Sequence, residues 1–512
     1  MPSSRLPQLR IVPLVLLLAC FGARGAAEGA AQLAAAAAAA SLRQPYAPAT
    51  VLVRLRQTSG PGRRLAAAAS KALLPGVAPV RFVGQHHDTP LPRPPGGSTG
   101  SVSAAAAAAA AIAGAPDGAI LEMRITDGSS VMAKVRQLRQ HPDVDTAEPD
   151  FARKLGLPRQ PQQAQHATTT TTAAAPRLSS AAAGAAAATS PLPNDPFFWN
   201  DEAWHLNKVA APLAWATSTG SRDVGICVID TGLRADHEDL QPSPAGDGPR
   251  IVKGWNRACT DCTQDGQRFT GAKPAPGTPQ YRDYSDVLGH GTHVVGLLAA
   301  AANNSRGVAG LTWRASLYIC AVMSPNGNFY TSSLLDYYAL CKRERVRIPS
   351  NSYYSDCSGD PPCYSQLEFD AIQELGRGPN PALFVAAAGN FANNTDALPR
   401  GLRFYPGSYP LPNIISVAGT QRDDSLASFS NWGRTTVHLA APGEGIWSTS
   451  FSSPRGYSTM SGTSMATPLV SGAAALLWAA KPSASAAEIK QRSWARWTGS
   501  LRWLAGSSLA GG

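Results

Sequence analysis

The chain has 512 residues, too many for one ordinary domain, and a formal net charge of +11. Residues 1–193 hold 19 Lys/Arg against 9 Asp/Glu, whereas residues 194–512 hold 26 against 25. Because the basic excess is confined to a largely low-complexity N-terminal third, it does not indicate a nucleic-acid partner, and we expect none.

The first 26 residues have the order of features typical of a secretory signal peptide. Arg5 and Arg10 precede the apolar run IVPLVLLLACFG, and the small residues ARGAA follow it. The run is shorter than the roughly 20 residues of a membrane-spanning helix, and we expect no membrane span elsewhere. An organelle transit peptide is the alternative, since Arg and Ala are abundant here and acidic residues scarce. We expect secretion.

Eight cysteines are present, and Cys20 lies in the predicted signal peptide. In an oxidising compartment some of the others should form disulfides. Cys357 and Cys363 bracket a short loop and are the expected pair. The single CTDC motif lacks a second half at zinc-finger spacing, which argues against a zinc site. Seven is an odd number, and we expect Cys227, in an apolar strand, to stay a free thiol.

Composition divides the chain after the signal peptide into four regions. They are an Ala-rich low-complexity segment (27–44), a small α+β region with low-complexity inserts (45–155), a disordered linker (156–193) and a globular region (194–512). Within the second region, the pattern predicts a helix from about Val131 to Gln140, ended by Pro142 and followed by a strand.

The globular region alternates short apolar runs with helical stretches. Continuous apolar runs predict a parallel sheet covered by helices on both faces, which is a three-layer α/β/α fold. Functional side chains gather at the carboxyl ends of such strands, where Asp230 and Asn390 lie. The runs are 223–230, 315–322, 346–352, 382–390 and 413–420.

Three motifs in this region each place one chemically useful residue beside a small residue. A serine hydroxyl becomes a nucleophile when an imidazole takes its proton, and the imidazole needs a carboxylate to fix its tautomer. Asp230, His290 and Ser464 supply these groups in that chain order. The motifs are VIDTGL (228–233), GHGTHVVG (289–296) and GTSMATP (462–468).

Together with VAAAGN and the extended block GTSMATPLVSGAAALL, these motifs resemble the signature blocks of subtilisin-like serine proteases, the subtilase family. The resemblance runs from about Asn194 to Leu477. The segment VRQLRQHPDVDTAEPD resembles the end of the family's inhibitory pro-domain. This implies a serine endopeptidase that acts on protein or peptide substrates and is made as a self-inhibited proprotein. Its own pro-domain (45–155) would be the intramolecular inhibitor of the catalytic domain (194–512), and we expect a monomer.

The resemblance also implies roles for single residues. His290 would be the general base, and His293, one helical turn later, would pack. A metalloprotease helix needs H-E-x-x-H, whose Glu is absent here. Asn390 would donate its side-chain amide to the oxyanion, together with the backbone N–H of Ser464. Cleavage that releases the mature enzyme should fall between Arg153 and Asn194.

Substrate-binding positions follow by the same resemblance. No carboxylate occupies them, so we expect a fairly broad, apolar-leaning preference for the residue before the scissile bond. Two adjacent tyrosines stand where many members have leucine or glycine, which should reshape the pocket. The positions are Ser352, Tyr353 and Tyr354 on one wall, Ala387 and Gly389 on the other, and Phe404 at the floor.

No cofactor is expected for catalysis, but the resemblance implies a structural calcium ion. Asp195, Asp239 and Asn304 match positions that supply oxygen ligands in many subtilases, and Ca²⁺ prefers such ligands. An Asx-rich surface turn is the alternative interpretation.

Two other functions remain open at this stage. A catalytically silent subtilase fold kept for binding would normally lack a triad member, and none is missing; the tyrosine pair and an atypical C-terminal tail are its support. An esterase of the α/β-hydrolase type would need G-x-S-x-G, whereas Ser464 lies in GTSMA.

Overall fold

The computed structural model describes residues 46–56, 77–83, 119–142, 144–154, 192–242, 248–258, 279–324, 327–355, 364–399 and 402–497. The predicted signal peptide, the Ala-rich segment, nearly all of the linker and the Cys357/Cys363 pair lie outside these ranges.

A seven-stranded, all-parallel sheet forms the centre of the main domain, which we define as residues 192–497. All five predicted strand runs fall in it, and two further strands, β6 and β12, form its edges. In spatial order the strands are β12 (Leu439–Pro442), β11 (Ile414–Thr420), β10 (Phe384–Ala387), β9 (Ile348–Asn351), β5 (Gly220–Asp230), β7 (Arg314–Ala321) and β6 (Gly248–Asn256).

Helices cover both faces of this sheet, because alternate residues of a strand point to opposite sides. Ile226 and Val228 of β5 face a core shared with α5 (His290–Ala299) and α8 (Thr463–Ala480). Cys227 and Ile229 face the other core, shared with α6 (Thr331–Arg343) and α7 (Gln366–Leu375). The remaining helices are α2 (Trp204–Lys208), α3 (Ala211–Trp215), α4 (Pro279–Arg282) and α9 (Ala486–Trp497). The predicted three-layer α/β/α architecture is confirmed.

One helix among the described residues, α8, is long and apolar enough to cross a membrane by length and composition. Its apolar window is 78% buried inside the protein, and it packs against β5 and the strands from β9 to β12. It is therefore the central core helix of the main domain.

Four strands form a smaller N-terminal sheet, and one helix, α1 (Val131–Arg139), accompanies it. The strands are β1 (Tyr46–Leu55), β2 (Val77–Val83), β3 (Ile120–Ile125) and β4 (Val144–Lys154). The predicted helix is present, and the Ser130 hydroxyl caps it by accepting a hydrogen bond from the Ala133 amide. The strands are antiparallel in the order β2-β3-β1-β4. Strand β4 continues the sheet into the main domain by pairing with β8 (Asn328–Tyr330).

Two smaller features complete the description. Strands β13 (Ile446–Thr449) and β14 (Tyr457–Met460) form an antiparallel pair beside α5. Cys227 is a buried free thiol, as predicted, and so are Cys320 and Cys341.

Candidate active site

The structure brings Asp230 and His290 into direct contact. Asp230 is the last residue of β5 and His290 the first of α5, so both lie at the carboxyl edge of the sheet. The Nδ1 atom of His290 lies 2.7 Å from Oδ1 of Asp230. Nε2 of His290 is buried and has no hydrogen-bond partner among the described residues. The imidazole is thus held at one nitrogen and presents the other.

A glycine makes this contact possible. A side chain at Gly291 would overlap the carbonyl oxygen of Gly232, so only glycine lets the start of α5 approach the end of β5 this closely. The amide of Gly291 donates to the Thr231 hydroxyl at 2.7 Å. These contacts tie the histidine helix to the strand that carries the carboxylate.

Asp286 fixes the loop in front of His290 and was missed by the sequence analysis. Its carboxylate accepts hydrogen bonds from the Gly289 amide at 2.7 Å, the Thr292 amide at 2.8 Å and the Thr231 hydroxyl at 2.7 Å. An aspartate four residues before the first helical residue, followed by glycine, is a helix-entry signal that could have found it.

Burial of His290 lowers its pKa, but the charge of Asp230 and the hydrogen bond with it outweigh burial, and the net pKa is raised above 6.5; Asp286 adds to the rise. Within the part of the chain that the structure describes, His293 has no carboxylate partner. Burial lowers its pKa to about 3, and its Nε2 lies 3.1 Å from the carbonyl oxygens of Ile446 and Ser458. The two histidines of one motif therefore have opposite electrostatic environments.

Ser464 is the second residue of α8, which packs against α5. Its hydroxyl donates to the carbonyl oxygen of Ser352 at 3.0 Å, and the hydroxyl of Ser352 donates to the carbonyl oxygen of Ser464 at 2.9 Å. This reciprocal pair joins the start of α8 to the segment that follows β9. Ser464 is 2% exposed, so the hydroxyl sits in a largely dry environment.

Asn390 lies three residues beyond β10, next to the start of α8. Its Oδ1 accepts hydrogen bonds from the amide and the hydroxyl of Thr463, at 2.8 and 2.9 Å. Thr463 therefore fixes the orientation of the Asn390 amide through its oxygen. Gly389 precedes it with a φ of +106°, a conformation that favours glycine.

Aromatic rings pack together at the predicted substrate-binding positions. Tyr354 packs edge-to-face on Phe404 (centroids 5.9 Å apart) and on Phe391 (5.7 Å), and Phe391 stacks on Phe404 at 5.1 Å. Tyr354 and Phe404 form one buried cluster with Ala387. A Cβ atom placed on Gly389 would lie 3.4 Å from the ring of Phe404.

The other tyrosine of the pair points away from this cluster. Tyr353 is completely buried under β8, where its ring meets Phe329 with a centroid separation of 5.0 Å. Its hydroxyl lies 2.8 Å from that of Tyr338. The structure therefore places Tyr354 beside Ala387 and Gly389, and Tyr353 in the core beneath.

The three predicted calcium ligands come from three separate segments and lie together around the loop that holds Asn304. The amide of Asn303 donates to Asp195 at 2.8 Å, and the side-chain amide of Asn304 donates to Asp239 at 2.8 Å. Burial raises the pKa of both carboxyl groups to about 6. Among the described residues, neither carboxylate has an ion-pair partner, and no group of three or more His, Cys, Asp or Glu is placed to hold a metal. Two buried carboxylates are ligands of the kind that Ca²⁺ prefers, whereas the side-chain oxygen of Asn304 accepts a hydrogen bond from the Arg306 amide at 2.8 Å.

The N-terminal sheet covers the main domain at α6, α7 and β8. Asp150 of β4 accepts hydrogen bonds from the amide and the hydroxyl of Ser332, at 2.8 and 2.6 Å, and so caps α6. Glu148 caps α7 through the Gln366 amide at 3.0 Å and the Ser365 hydroxyl. Carboxylates suit both positions because helix N-termini are partly positive.

Sequence comparison identifies the class of protein to which this fold belongs. Residues 221–494, more than half of the chain, match the family model described as the Subtilase family. The chain therefore belongs to the subtilase family, as the motifs predict, and is a subtilisin-like serine endopeptidase.

Relatives of known class support this assignment. Thermitase of Thermoactinomyces vulgaris is 33% identical over 293 residues, covering 57% of this chain and 88% of that protein. Intracellular serine protease of Paenibacillus polymyxa is 36% identical over 276 residues (53% and 71%). Subtilisin Savinase of Lederbergia lenta is 32% identical over 287 residues (56% and 88%).

Proposed function

We propose that the protein cleaves peptide bonds through an acyl-enzyme with Ser464 as nucleophile, His290 as general base and Asp230 as its orienting carboxylate. The observation that carries this assignment is the 2.7 Å contact of Asp230 with Nδ1 of His290, whose other nitrogen is buried and unpartnered. Fixing Nδ1 as the protonated nitrogen leaves the Nε2 lone pair to accept a proton.

In the first step the Ser464 hydroxyl leaves its hydrogen bond with Ser352 and transfers its proton to Nε2 of His290 as its oxygen attacks the peptide carbonyl carbon. The imidazolium then protonates the leaving amine, and an ester to Ser464 remains. Water then attacks this ester while Nε2 takes its proton. The imidazolium returns that proton to the Ser464 oxygen as the ester bond breaks. The negative carbonyl oxygen formed in each step is stabilised by the side-chain NH₂ of Asn390 and the backbone N–H of Ser464.

We further propose that the chain is made as a self-inhibited proprotein, with residues 45–155 as inhibitor. Support comes from the pairing of Ala152, Arg153 and Lys154 with β8, which adds a strand to the main domain as an extended peptide would. The linker should be cut between Arg153 and Asn194, which frees the N-terminal sheet to dissociate. We expect the mature enzyme to be a secreted monomer.

The aromatic cluster narrows the expected specificity. Tyr354, on one predicted wall, packs against Phe404 at the predicted floor, so a large side chain of the substrate would have to displace packed rings. We propose that the residue before the scissile bond is small: alanine, glycine, serine or threonine. The linker itself is rich in such residues, including SSAAAGAAAATS at 179–190.

We propose that Asp195, Asp239 and Asn304 hold a structural calcium ion. The two carboxylates and the amide oxygen would bind the ion. Its positive charge would stabilise the ionised form of these carboxyl groups, which burial alone disfavours. It would take no part in peptide hydrolysis.

The test of the proposed function compares the full chain with its Ser464→Ala variant. Wild type should cut its own linker and then hydrolyse denatured casein. The variant should stay at full length, fold with the same circular dichroism, and lose activity by on the order of 10⁶-fold, the size of this effect in the same family. A folded wild-type chain as inert as the variant would favour the catalytically silent alternative.

A further inference from the structure

Arg153 inserts its side chain from the N-terminal sheet into the main domain. It lies near the end of β4, opposite Phe329 of β8, and its side chain is 0% exposed. Its Nη2 donates to Oε2 of Glu368 at 2.8 Å, and the Glu368 side chain is likewise 0% exposed. This fully buried ion pair joins two segments that maturation should separate. Burying two charges carries a desolvation penalty, so such a pair is unusual at an interface of this kind.

Two hydroxyl groups of the main domain also accept hydrogen bonds from the guanidinium. Its Nε donates to the hydroxyl of Thr331 at 3.2 Å, and its Nη1 donates to the hydroxyl of Ser355. Three acceptors on three sides match the fixed fork of arginine, which the single ammonium of lysine cannot reproduce.

The pocket keeps its carboxylate in place without Arg153. The hydroxyl of Tyr409 donates to Glu368 at 2.8 Å and that of Tyr338 at 3.1 Å. When the N-terminal sheet dissociates, these contacts stay, but the carboxylate loses its only ion-pair partner among the described residues. Once the sheet has left, this carboxylate is open to a new partner, and a guanidinium that reaches it can form the same charge-assisted hydrogen bond.

We propose that this pocket, formed by Thr331, Ser355 and Glu368, is a substrate subsite that selects arginine. The substrate would pair with β8 as β4 does and place an arginine side chain where Arg153 now lies. The inference rests on the proposed function, and it concerns a different position from the small residue before the scissile bond.

The geometry also gives the position of this arginine in the substrate. Ser355, which contacts the guanidinium, lies three residues after Ser352, which is hydrogen-bonded to the nucleophile. An extended chain spans about 3.3 Å per residue, so the pocket lies within about 10 Å of that point. The arginine should therefore be about three residues before the residue at the cut.

The chain's own sequence agrees with this spacing. Three residues after Arg153 comes Gly156, in RKLGL. A cut after Gly156 would place arginine in the new pocket and a glycine beside the aromatic cluster. It would also fall inside the interval from Arg153 to Asn194.

The test uses two internally quenched peptides cut by the mature enzyme that the full chain produces, Arg-Lys-Leu-Gly-Leu and the same peptide with citrulline for arginine. Citrulline keeps the shape and removes the charge. Arginine should raise kcat/KM by at least about tenfold, mainly through KM, because hydrogen bonds to charged groups add this much. Moving the arginine one position either way should abolish the advantage.

Two variants should reduce the ratio of kcat/KM for the arginine peptide to kcat/KM for the citrulline peptide. Glu368→Gln should bring this ratio near one, and Ser355→Ala should lower it partly. Equal cleavage of both peptides by an active, Ser464-dependent wild-type enzyme would overturn the subsite and leave the proposed function intact. This comparison needs no variant, so misfolding of Glu368→Gln cannot obscure it. Failure of the proposed function is distinct: neither peptide would be cut.

Discussion

The catalytic end of the sheet and the interface with the N-terminal sheet are built differently. At the catalytic end, Asp230, His290 and Asn390 are held by contacts inside the main domain, helped by the close approach at Gly291. At the interface, two carboxylates from β4 cap helices α6 and α7 of the main domain, and a guanidinium from β4 fills the pocket of Glu368. The first region is self-sufficient, whereas the second is complete only with a bound strand.

This contrast predicts separable effects. Changes at the catalytic end should lower kcat and leave pro-domain binding unchanged. Changes at the interface should alter inhibition or specificity and leave kcat unchanged. A change remote from both should alter stability alone.

The largest effect after loss of the nucleophile is expected for Asn390→Ala. Without the amide donor, kcat should fall about 10²–10³-fold with little change in KM, the range found for this donor in the same family. Steady-state kinetics measure this fall in kcat on a peptide with a small residue before the scissile bond. Asn393→Ala, on the same loop, is the matched control and should stay near wild type. A kcat within threefold of wild type for Asn390→Ala would exclude it from the oxyanion site.

Asp286→Asn tests the loop that positions His290. We expect kcat/KM to fall about tenfold to a hundredfold, because misplacement of a base by a fraction of an ångström is costly. His290 must be neutral to act, and its pKa is raised, so activity should be lost as pH falls through a value above 6.5. Removing the Asp286 charge should shift this acid limb to lower pH. A purely structural role for Asp286 would lower activity without moving the limb.

Phe404→Ala tests the filled pocket. Removing the ring opens space beside Gly389, so kcat/KM for phenylalanine before the scissile bond should rise at least about tenfold relative to alanine. Leu398→Ala, at the edge of the same cluster, is the control for loosened packing. A wild-type enzyme that already prefers phenylalanine would contradict the account.

Glu148→Ala tests the interface. The free N-terminal domain (45–155) carrying this change should inhibit the mature enzyme about tenfold to a hundredfold more weakly, because α7 loses its cap and buried hydrogen bonds. Arg136→Ala, on an exposed position of α1, should inhibit like wild type. Inhibition constants from progress curves decide, and equal constants for both variants would show that the cap contributes nothing to binding.

The smallest expected effect concerns stability alone. EDTA should lower the melting temperature by about 5 °C at pH 8, and calcium should restore it. Because burial raises the pKa of Asp195 and Asp239 to about 6 from 3.8, metal-free stability is lost as pH rises through about 6. The EDTA effect should therefore be much smaller at pH 5. Asp239→Asn should remove the effect of EDTA on the melting temperature. Asp223→Asn, at the surface, is the control and should keep that effect.

The sequence predicted the two regions unequally. Parallel-strand runs and the motifs around Asp230, His290 and Ser464 could be recognised because their chemistry depends on contiguous residues and glycines. Strand β8 and the pocket of Glu368 could not, because each depends on partners far away in the chain. Asp286 was missed although two of its partners, Gly289 and Thr292, are local. Glu368 meets Arg153 across 215 positions, and no local pattern encodes such a pair.

The same reason explains the tyrosine pair. Adjacent residues of an extended segment point to opposite sides, so only one of Tyr353 and Tyr354 could line the pocket. Which one does so depends on the register of the segment against β8 and β10, and this became clear only in the folded chain.

The most direct measurement is active-site labelling of the matured enzyme with a fluorophosphonate, followed by mass spectrometry of its peptides. An activated serine should carry the probe on Ser464 and nowhere else, and His290→Ala should abolish labelling in a folded protein. Folded wild-type enzyme that stays unlabelled at Ser464, or a Ser464→Ala variant that labels equally well, would contradict the assignment.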